Sequence, residues 1–271
     1  MADVTCDSHR VTAPTADELV TTLRAAGCVY AEEEAEVLLE AAAQGRDLTA
    51  LLDRRVAGEP LEWVVEWAEF RSEDGDGVRV VVRPGVFVPR GRTIELALVA
   101  EELLPADGLL VDLCCGSGAI SAFVHHRRPD ARVVAADIDP VATACAVENL
   151  PFATVLTGDL FAPLDPALRG TVDVLVANTP YVPSDVVALM PPEARDHEPL
   201  HTLDGGADGL TLLRRIAAEA PSWLRRGGVV LIEINESQYD AAREAFEAAG
   251  LATSARIDPD RTSVIVGQHQ G

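Results

Sequence analysis

Apolar residues recur along the chain with two different periods, and the first of these is the period of an α-helix. Between Thr15 and Leu52 the spacing places Leu19, Val20 and Leu23 on one stripe and Val37 to Leu39 on another. Stripes of this width belong to helices that bury one face. The pattern therefore predicts a small helical domain in the N-terminal part of the chain.

The second pattern of apolar residues is typical of β-strands. Trp63 to Phe70 and Val78 to Val82 have β-type composition and flank a glycine-containing turn, which predicts a hairpin. Beyond it, short apolar runs alternate with helical segments, as is typical of a parallel sheet covered on both faces. Predicted strands are 109–113, 132–137, 154–157, 172–177, 229–234 and an antiparallel pair, 251–255 and 263–266, around Asp258-Pro259-Asp260. Predicted helices are 93–104, 119–127, 140–150, 210–224 and 238–249. The predicted domains are a helical domain at 1–62, a hairpin linker at 63–85 and an α/β domain at 86–271.

Composition excludes several classes of chemistry. All 22 basic residues are Arg, so a Schiff-base lysine, a pyridoxal-phosphate anchor and a Walker-type phosphate loop are excluded. The formal net charge of −22 argues against direct nucleic-acid binding and leaves a protein partner open. The five cysteines fit no zinc spacing, so no metal site is predicted. No run reaches the roughly 18 apolar residues of a membrane span, and residues 1–10 lack a signal-peptide stretch, so we expect a cytoplasmic protein without a membrane partner.

A glycine-containing turn, Asp112-Leu113-Cys114-Cys115-Gly116-Ser117-Gly118, follows the first strand of the α/β domain. Ligands of doubly wound sheets bind at the carboxyl ends of strands, where glycine lets the backbone approach them closely. In this turn the two cysteines supply small side chains. Asp137 ends the next strand, where a carboxylate can accept hydrogen bonds from both ribose hydroxyls. Asp159 and Leu160 follow the third strand and are candidates for contacts with an adenine amino group and ring.

Two kinds of cofactor compete for this turn. A dinucleotide fingerprint needs Gly-x-Gly-x-x-Gly before a helix, but Gly116-Ser117-Gly118 is followed by Ala119-Ile120-Ser121 and the third glycine is missing. A carboxylate at Asp112 suits a ligand that carries an ammonium group and no phosphate. S-adenosylmethionine is such a ligand, and we favour it.

The tetrapeptide Asn178-Thr179-Pro180-Tyr181 stands where the predicted strand 172–177 ends. An amide nitrogen is a poor nucleophile because its lone pair is conjugated, so an enzyme must hold its NH2 group by both hydrogens. The Asn178 side-chain oxygen and a carbonyl of Asn178 or Thr179 can accept them, and Tyr181 can pack on the amide plane. The motif predicts methyl transfer to a planar amide or amine nitrogen, with Asn178 and Tyr181 catalytic, all four residues binding substrate and Asn178 also bordering the cofactor.

Several longer segments carry a resemblance: 55–60, 69–70, 87–90, 112–118, Asp137, 178–181, 197–199 and 203–210. Over about residues 35–267 the chain resembles the HemK/PrmC-type release-factor glutamine methyltransferases. The resemblance implies a class I S-adenosylmethionine-dependent methyltransferase fold, a doubly wound, mostly parallel seven-stranded sheet with a C-terminal antiparallel strand. It also implies an N-terminal substrate-docking domain, Arg90 as a further cofactor-binding residue, and as substrate the glutamine of the Gly-Gly-Gln loop in class I peptide-chain release factors.

Three positions depart from that family's pattern. The family has two prolines between Asn and Tyr, whereas the first of these places is Thr179 here. After Arg90 it has Pro-Glu/Asp-Thr-Glu, whereas this chain has Gly91-Arg92-Thr93-Ile94, and Cys114 replaces the first glycine of the cofactor turn. Alternatives to a release-factor glutamine therefore stay open: a related protein, a small metabolite or peptide, an exocyclic base amine, or a cofactor-binding scaffold without catalysis. No oligomeric state is predicted.

Overall fold

The computed structural model describes residues 14–257 and 263–271, so the turn predicted at Asp258-Pro259-Asp260 lies outside the described residues. The chain divides into two compact units, the first ending at Val65 and the second beginning at Glu66. In the first unit the helices are α1 Ala16–Ala25, α2 Ala31–Ala43, α3 Leu48–Val56 and α4 Leu61–Val65. Leu19, Leu23 and Leu38 are fully buried, as expected of residues on apolar stripes.

In the first unit, polar residues cap the N-termini of two helices and form one buried ion pair. Thr15 and Glu18 form a capping box at the start of α1, and Asp47 accepts hydrogen bonds from the first turn of α3. Glu34, from the acidic run at the start of α2, pairs with Arg55 of α3 through two contacts of 2.6 and 3.0 Å. This buried pair is bidentate, the geometry in which Arg–carboxylate contacts are strongest.

The strand predicted from Trp63 is wrong in its first part, because residues 61–65 form α4 and the first strand begins only at Trp67. The Pro60 carbonyl accepts hydrogen bonds from the N–H groups of Trp63 and Val64. A proline suits this position because its φ is fixed and its missing N–H has no helical partner to lose. The aromatic and branched side chains of α4 are buried, so packing overrides their β propensity.

The second unit contains a hairpin and a larger sheet with helices. The hairpin strands are β1 Trp67–Arg71 and β2 Gly77–Val81. The sheet strands are β3 Leu109–Leu113, β4 Arg132–Asp137, β5 Thr154–Thr157, β6 Val172–Ala177, β7 Leu224–Ile234, β8 Leu251–Arg256 and β9 Ser263–His269. The helices are α5 Ile94–Leu103, α6 Ala119–Arg127, α7 Pro140–Asn149, α8 Pro192–His197, α9 Thr211–Glu219 and α10 Tyr239–Ala248. Each described helix is too short or too polar to span a lipid bilayer.

The helix predicted at 210–224 ends earlier, at Glu219, and β7 begins earlier than predicted, at Leu224. A 3₁₀ turn that contains Pro221 separates them, and proline cannot continue an α-helix. Leu224 pairs with Val172, and the register shifts before Val174. The first half of β7 contains the exposed residues Arg225 and Arg226, so the apolar run seen in the sequence starts only in the second half of the strand.

The sheet has the order β5-β4-β3-β6-β7-β9-β8, with β9 antiparallel to both of its neighbours and the other pairs parallel. Leu109, Val111 and Leu113 of β3 belong to the apolar cluster that includes α9 and α10. The alternate residue Asp112 receives a hydrogen bond from Ser121 of α6, so helices cover both faces. The doubly wound, mostly parallel sheet predicted from the sequence is confirmed.

The strand order reverses beside β3, because the chain first adds β4 on one side and later β6 on the other. In register, Leu113 lies opposite Ala136 of β4 and Ala177 of β6. At one edge of the sheet, the last residue of β4, Asp137, therefore meets the residues that follow β3 and β6, among them Asn178. This edge is where doubly wound folds bind ligands.

Candidate active site

A cavity opens at this edge of the sheet. Counted out to its open mouth, and with the solvent space there included, it measures ≈ 1100 Å³. The turn after β3, the end of β4, the tetrapeptide after β6 and the segment before α5 line it. The motifs singled out in the sequence thus border the same space.

The turn after β3 exposes its backbone to this cavity. At Gly116, with φ 56°, a Cβ would meet nothing within 4 Å, so the space beside it is open to a ligand. Cys114 has φ 55° where the family pattern has glycine, a conformation that costs an L-residue about 1–2 kcal/mol. Burial raises the pKa of both the Cys114 and the Cys115 thiols, so both stay neutral and are poor nucleophiles.

Asp137 lines the cavity at the end of β4. One carboxylate oxygen accepts a hydrogen bond from the Gly116 N–H at 2.8 Å, and the other from the Asp139 N–H at 2.9 Å. Burial raises the pKa of Asp137, whereas these two hydrogen bonds lower it. Since each carboxylate oxygen can accept more than one hydrogen bond, the group can still bind two hydroxyls of a ligand.

Thr93 orients the side chain of Asn178. Asn178 Nδ2 donates to Thr93 Oγ1 at 3.2 Å, while no described residue donates a hydrogen bond to Asn178 Oδ1. The carbonyls of Asn178 and Thr179 likewise accept no backbone hydrogen bond from the described residues. Oxygen acceptors that receive no hydrogen bond within one short chain segment suit a planar NH2 group, which has two hydrogens to donate.

Glu233 supports this wall of the cavity without lining it. Arg92 Nε lies 3.5 Å from its Oε1, and the Arg92 guanidinium carbon lies 5.7 Å from the centre of the Tyr181 ring. Burial, followed by the charge of Glu233, raises the pKa of Tyr181 to about 12, so the phenol keeps its proton at neutral pH. The tyrosine can therefore pack and donate a hydrogen bond, but it cannot serve as a base.

A glycine-rich loop, residues 203–210, holds the tetrapeptide in place. Gln238 Nε2 donates to the carbonyls of Tyr181 and Asp208, each at 2.9 Å. At Gly209, with φ 76°, a Cβ would lie 2.1 Å from the Tyr181 carbonyl oxygen. The loop can approach this closely only with glycine at that position. Its contacts fix the path of the chain after Pro180.

Comparison with known proteins decides the family. The release factor glutamine methyltransferase of Mycolicibacterium smegmatis is 38% identical over 228 residues, which cover 82% of this chain and 77% of that protein. The protein of the same name from Moorella thermoacetica is 39% identical over 231 residues, covering 82% and 78%. The chain belongs to the release factor glutamine methyltransferase family. The family predicted from the sequence is thus confirmed.

Two further similarities concern the fold. The family described as Methyltransferase small domain matches residues 77–190. The crystal structure of a methyltransferase from Pyrococcus furiosus superposes with a TM-score of 0.54 at 15% identity, covering 71% of this chain and 88% of that one. At this identity the likeness concerns the fold alone, and it confirms the predicted class I methyltransferase architecture.

Arg90 lines the cavity and connects two segments of the release factor glutamine methyltransferase pattern. Its guanidinium pairs with Glu198, a buried residue of the segment 197–199. Its guanidinium carbon also lies 5.3 Å from the centre of the Phe87 ring. A contact of Arg90 with the cofactor stays a prediction, and its position at the cavity is compatible with one.

Four residues expected to touch the cofactor do not line the cavity. Gly118 packs inward, where a Cβ would lie 2.7 Å from Leu150. The exposed Asp159 carboxylate forms a 2.7 Å ion pair with Arg215. Leu160 is buried in the apolar cluster of the sheet. The fourth residue is Asp112. For all four, the geometry does not support the direct contact that the sequence suggested.

Asp112 lies in the interior below the turn. It is wholly buried, and one of its oxygens accepts a hydrogen bond from Ser121 Oγ at 2.7 Å while Oδ1 has no partner among the described residues. Burial raises the pKa of this carboxyl to about 7. Near neutral pH the group is therefore partly protonated, and it does not present a fixed anion to an ammonium group.

Asp112→Asn is expected to remove part of the pH dependence of stability. The folded pKa of about 7 exceeds the unfolded value, so the wild type loses stability as pH rises from about 4 to about 7, by at most roughly 4 kcal/mol. Asparagine keeps the acceptor for Ser121 without the titrating proton. Urea unfolding at pH 5 and pH 8 measures the difference, with the exposed Asp185→Asn as control. If the free energy of unfolding changed equally between pH 5 and pH 8 in the wild type and in Asp112→Asn, the raised pKa of Asp112 would be contradicted.

Sequence reasoning missed Glu233, Gln238 and Glu198 as residues that support the site. Each acts through contacts with segments far away in sequence, which a local pattern does not reveal. For Glu233 a signal was present, since it is the lone charge in the apolar strand segment 229–234. A carboxylate at such a position is rarely kept for packing.

Proposed function

We propose that the chain transfers a methyl group from S-adenosylmethionine to the side-chain amide nitrogen of the glutamine in the Gly-Gly-Gln loop of a class I peptide-chain release factor. The observation that carries the proposal is the Asn178 amide, whose Nδ2 is engaged by Thr93 and whose Oδ1 is left for a substrate hydrogen. The names of the curated relatives support the glutamine of a release factor as the acceptor.

The residues at the cavity fit the proposed cofactor. Asp137 can accept hydrogen bonds from the two ribose hydroxyls, and the open side of Gly116 leaves room beside the turn. The turn lacks the third glycine of a dinucleotide fingerprint, which favours a nucleoside cofactor over one with a pyrophosphate. When bound, S-adenosylmethionine supplies a methyl group activated by its sulfonium charge.

The contribution of the chain to the reaction is to hold and polarise the amide. Asn178 Oδ1 accepts one hydrogen of the substrate NH2 group, and the carbonyl of Asn178 or Thr179 accepts the other. As nitrogen attacks, it gains positive charge, which these oxygen dipoles stabilise more strongly than in the ground state. A protonated, methylated amide is strongly acidic, so it loses its extra proton to solvent without a strong base. Tyr181 stays protonated and packs on the amide plane.

We further propose that residues 1–62 dock the substrate protein. In the first unit, Val29 and Tyr30 lie between α1 and α2 and are 81% and 67% exposed. Large apolar side chains exposed side by side are typical of contact sites for other proteins. The acidic character of the whole chain is compatible with a protein partner and unfavourable for nucleic acid.

Incubation with labelled S-adenosylmethionine and purified release factor from the same organism tests the proposal. We expect label in the wild-type release factor and none in a variant whose loop glutamine is replaced by glutamate, which has no NH2 group. Label in both substrates would overturn the assignment of the acceptor. Cofactor binding without label in either would direct the search to another protein or to a small molecule.

A further inference from the structure

Asn149, the last residue of α7, forms hydrogen bonds with two segments that are distant in the chain. Its Oδ1 accepts a hydrogen bond from the Val81 N–H at 2.8 Å, and its Nδ2 donates to the carbonyls of Val81 and Ser117, each at 2.9 Å. Both hydrogens of its NH2 group are therefore used. The reversed amide would set its NH2 group against an N–H and its oxygen against two carbonyls, so the surroundings allow one orientation alone.

One of these segments is the outer edge of the hairpin. The Val82 N–H bonds to the Glu66 carbonyl just before β1, so the alternate residue Val81 directs its N–H and carbonyl away from β1. Asn149 bonds to both of these groups, as a neighbouring strand would. The hairpin also contributes Phe70 to the wall of the cavity. Asn149 therefore ties α7 to an element that borders the cavity.

The other segment is the turn after β3, which the end of α7 supports from behind. At Gly118 a Cβ would lie 2.7 Å from Leu150, the residue that follows α7. At Gly116 a Cβ would meet nothing within 4 Å. Ser117, between the two glycines, lines the cavity, whereas Asn149 does not. Asn149 thus holds the turn by the side that faces away from a ligand in the cavity.

Two groups that a ligand can use depend on the position of Ser117. Ser117 is 2% exposed, and its Oγ has no hydrogen-bond partner among the described residues. Buried hydroxyls are ordinarily paired, so this one is available to a ligand in the cavity. The neighbouring Gly116 N–H donates at 2.8 Å to Asp137, the carboxylate proposed to bind the ribose. A shift of the Ser117 backbone would displace both groups.

We propose that Asn149 is a positioning residue for the cofactor, which holds the turn after β3 and the hairpin at the spacing that the cofactor needs. The inference rests on the proposed function only for its choice of S-adenosylmethionine as the cofactor. Because both walls are fixed in advance, cofactor binding does not have to order them, and affinity is higher. Asn178, which holds the substrate amide, belongs to another segment, so Asn149 acts on cofactor binding and not on methyl transfer.

Replacement of Asn149 is expected to weaken cofactor binding selectively. In Asn149→Ala and in Asn149→Asp we expect the Kd for S-adenosylmethionine to rise roughly tenfold, the effect of one or two lost hydrogen bonds. Aspartate keeps the volume and the acceptor for Val81, but it lacks the NH2 hydrogens and faces two carbonyls. We expect kcat at saturating cofactor and KM for release factor to stay within about twofold of the wild type. A residue that only stabilised the fold would leave the Kd of the folded variants unchanged.

Glu148→Gln is the matched control, because Glu148 joins the same helix to the chain just after β2. Its exposed carboxylate pairs with Arg83 at 3.0 Å, and neither residue lines the cavity. We expect a wild-type Kd for S-adenosylmethionine in this variant. Calorimetric titration gives the affinities, and circular dichroism verifies that each variant is folded. A wild-type Kd in folded Asn149→Asp, or an equal loss of affinity in Glu148→Gln, would overturn the proposal.

A second readout uses the unaltered chain. It has three asparagines, so selective ¹⁵N labelling gives three side-chain NH2 pairs, and Asn178→Ala and Asn235→Ala identify the remaining pair as that of Asn149. We expect the Asn149 pair to shift on titration with S-adenosylhomocysteine, because its Nδ2 donates to the turn, and the Asn235 pair to stay unchanged. An Asn149 pair that does not shift at saturation would refute the proposal. Both readouts depend on cofactor binding alone, so their success in a protein that does not methylate release factor would contradict the proposed function and not the role of Asn149.

Discussion

Asn178→Ala is expected to lower kcat for methyl transfer by roughly a thousandfold while the Kd for S-adenosylmethionine changes less than about threefold. The variant loses the Oδ1 acceptor and the hydrogen bond from Nδ2 to Thr93. The substrate NH2 group is then no longer held in position, and part of the electrostatic field that stabilises its developing charge is lost. Single-turnover kinetics with release factor and calorimetric titration of the cofactor measure the two effects separately.

Asn235→Ala is the control for this experiment. Asn235 caps the short turn after β7 by accepting from Ser237 N–H, and it does not line the cavity. We expect a kcat close to that of the wild type. If Asn178→Ala were to retain methyl transfer, the tetrapeptide would not be the catalytic motif. If it lost cofactor binding to the same extent as activity, Asn178 would hold the cofactor rather than the amide.

Asp137→Asn is expected to weaken cofactor binding by roughly a hundredfold. The carboxylate is the charged acceptor at the cavity beside the β3 turn, and hydrogen bonds to charged acceptors are the stronger kind. The substitution also replaces one of the oxygens that hold the N–H groups of Gly116 and Asp139, at 2.8 and 2.9 Å. Calorimetric titration with S-adenosylmethionine at neutral pH, and circular dichroism to verify folding, give the result.

Asp159→Asn is the matched comparison, because the sequence suggested both carboxylates as cofactor residues. The structure pairs Asp159 with Arg215 at an exposed position outside the cavity. Its replacement is therefore expected to change cofactor affinity by less than about threefold. If Asp159→Asn bound the cofactor more weakly than Asp137→Asn, the cofactor would lie closer to the end of β5 than the geometry of the cavity indicates.

The central strands of the α/β domain were predictable because parallel strands that are buried on both faces have continuous apolar sequences. The predicted bounds are confirmed for β3, β4 and β6, and also for the edge strand β5, whose residues are exposed or half-buried. The error at Trp63 arose where β-type residues lie in a short helix and packing overrides propensity. The early end of α9 was marked by Pro221 in the sequence, which a purely periodic reading passes over.

The site was predictable as far as it depends on strand ends. Once Leu113, Ala136 and Ala177 are aligned in register, the turn, Asp137 and Asn178 must lie at one edge. Burial was not predictable in the same way, since Asp112 belongs to the turn in sequence but lies wholly in the interior. Nor were the partners of the site residues, such as Thr93 with Asn178, because these contacts join segments that are distant in the chain.

Tandem mass spectrometry of the release factor after incubation with the chain and S-adenosylmethionine tests the central claim most directly. The account predicts one added methyl group on the side-chain nitrogen of the glutamine in the Gly-Gly-Gln loop, present with the wild type and absent with Asn178→Ala. A methyl group on a carboxylate, a backbone atom or another side chain, or its persistence with Asn178→Ala, would contradict it.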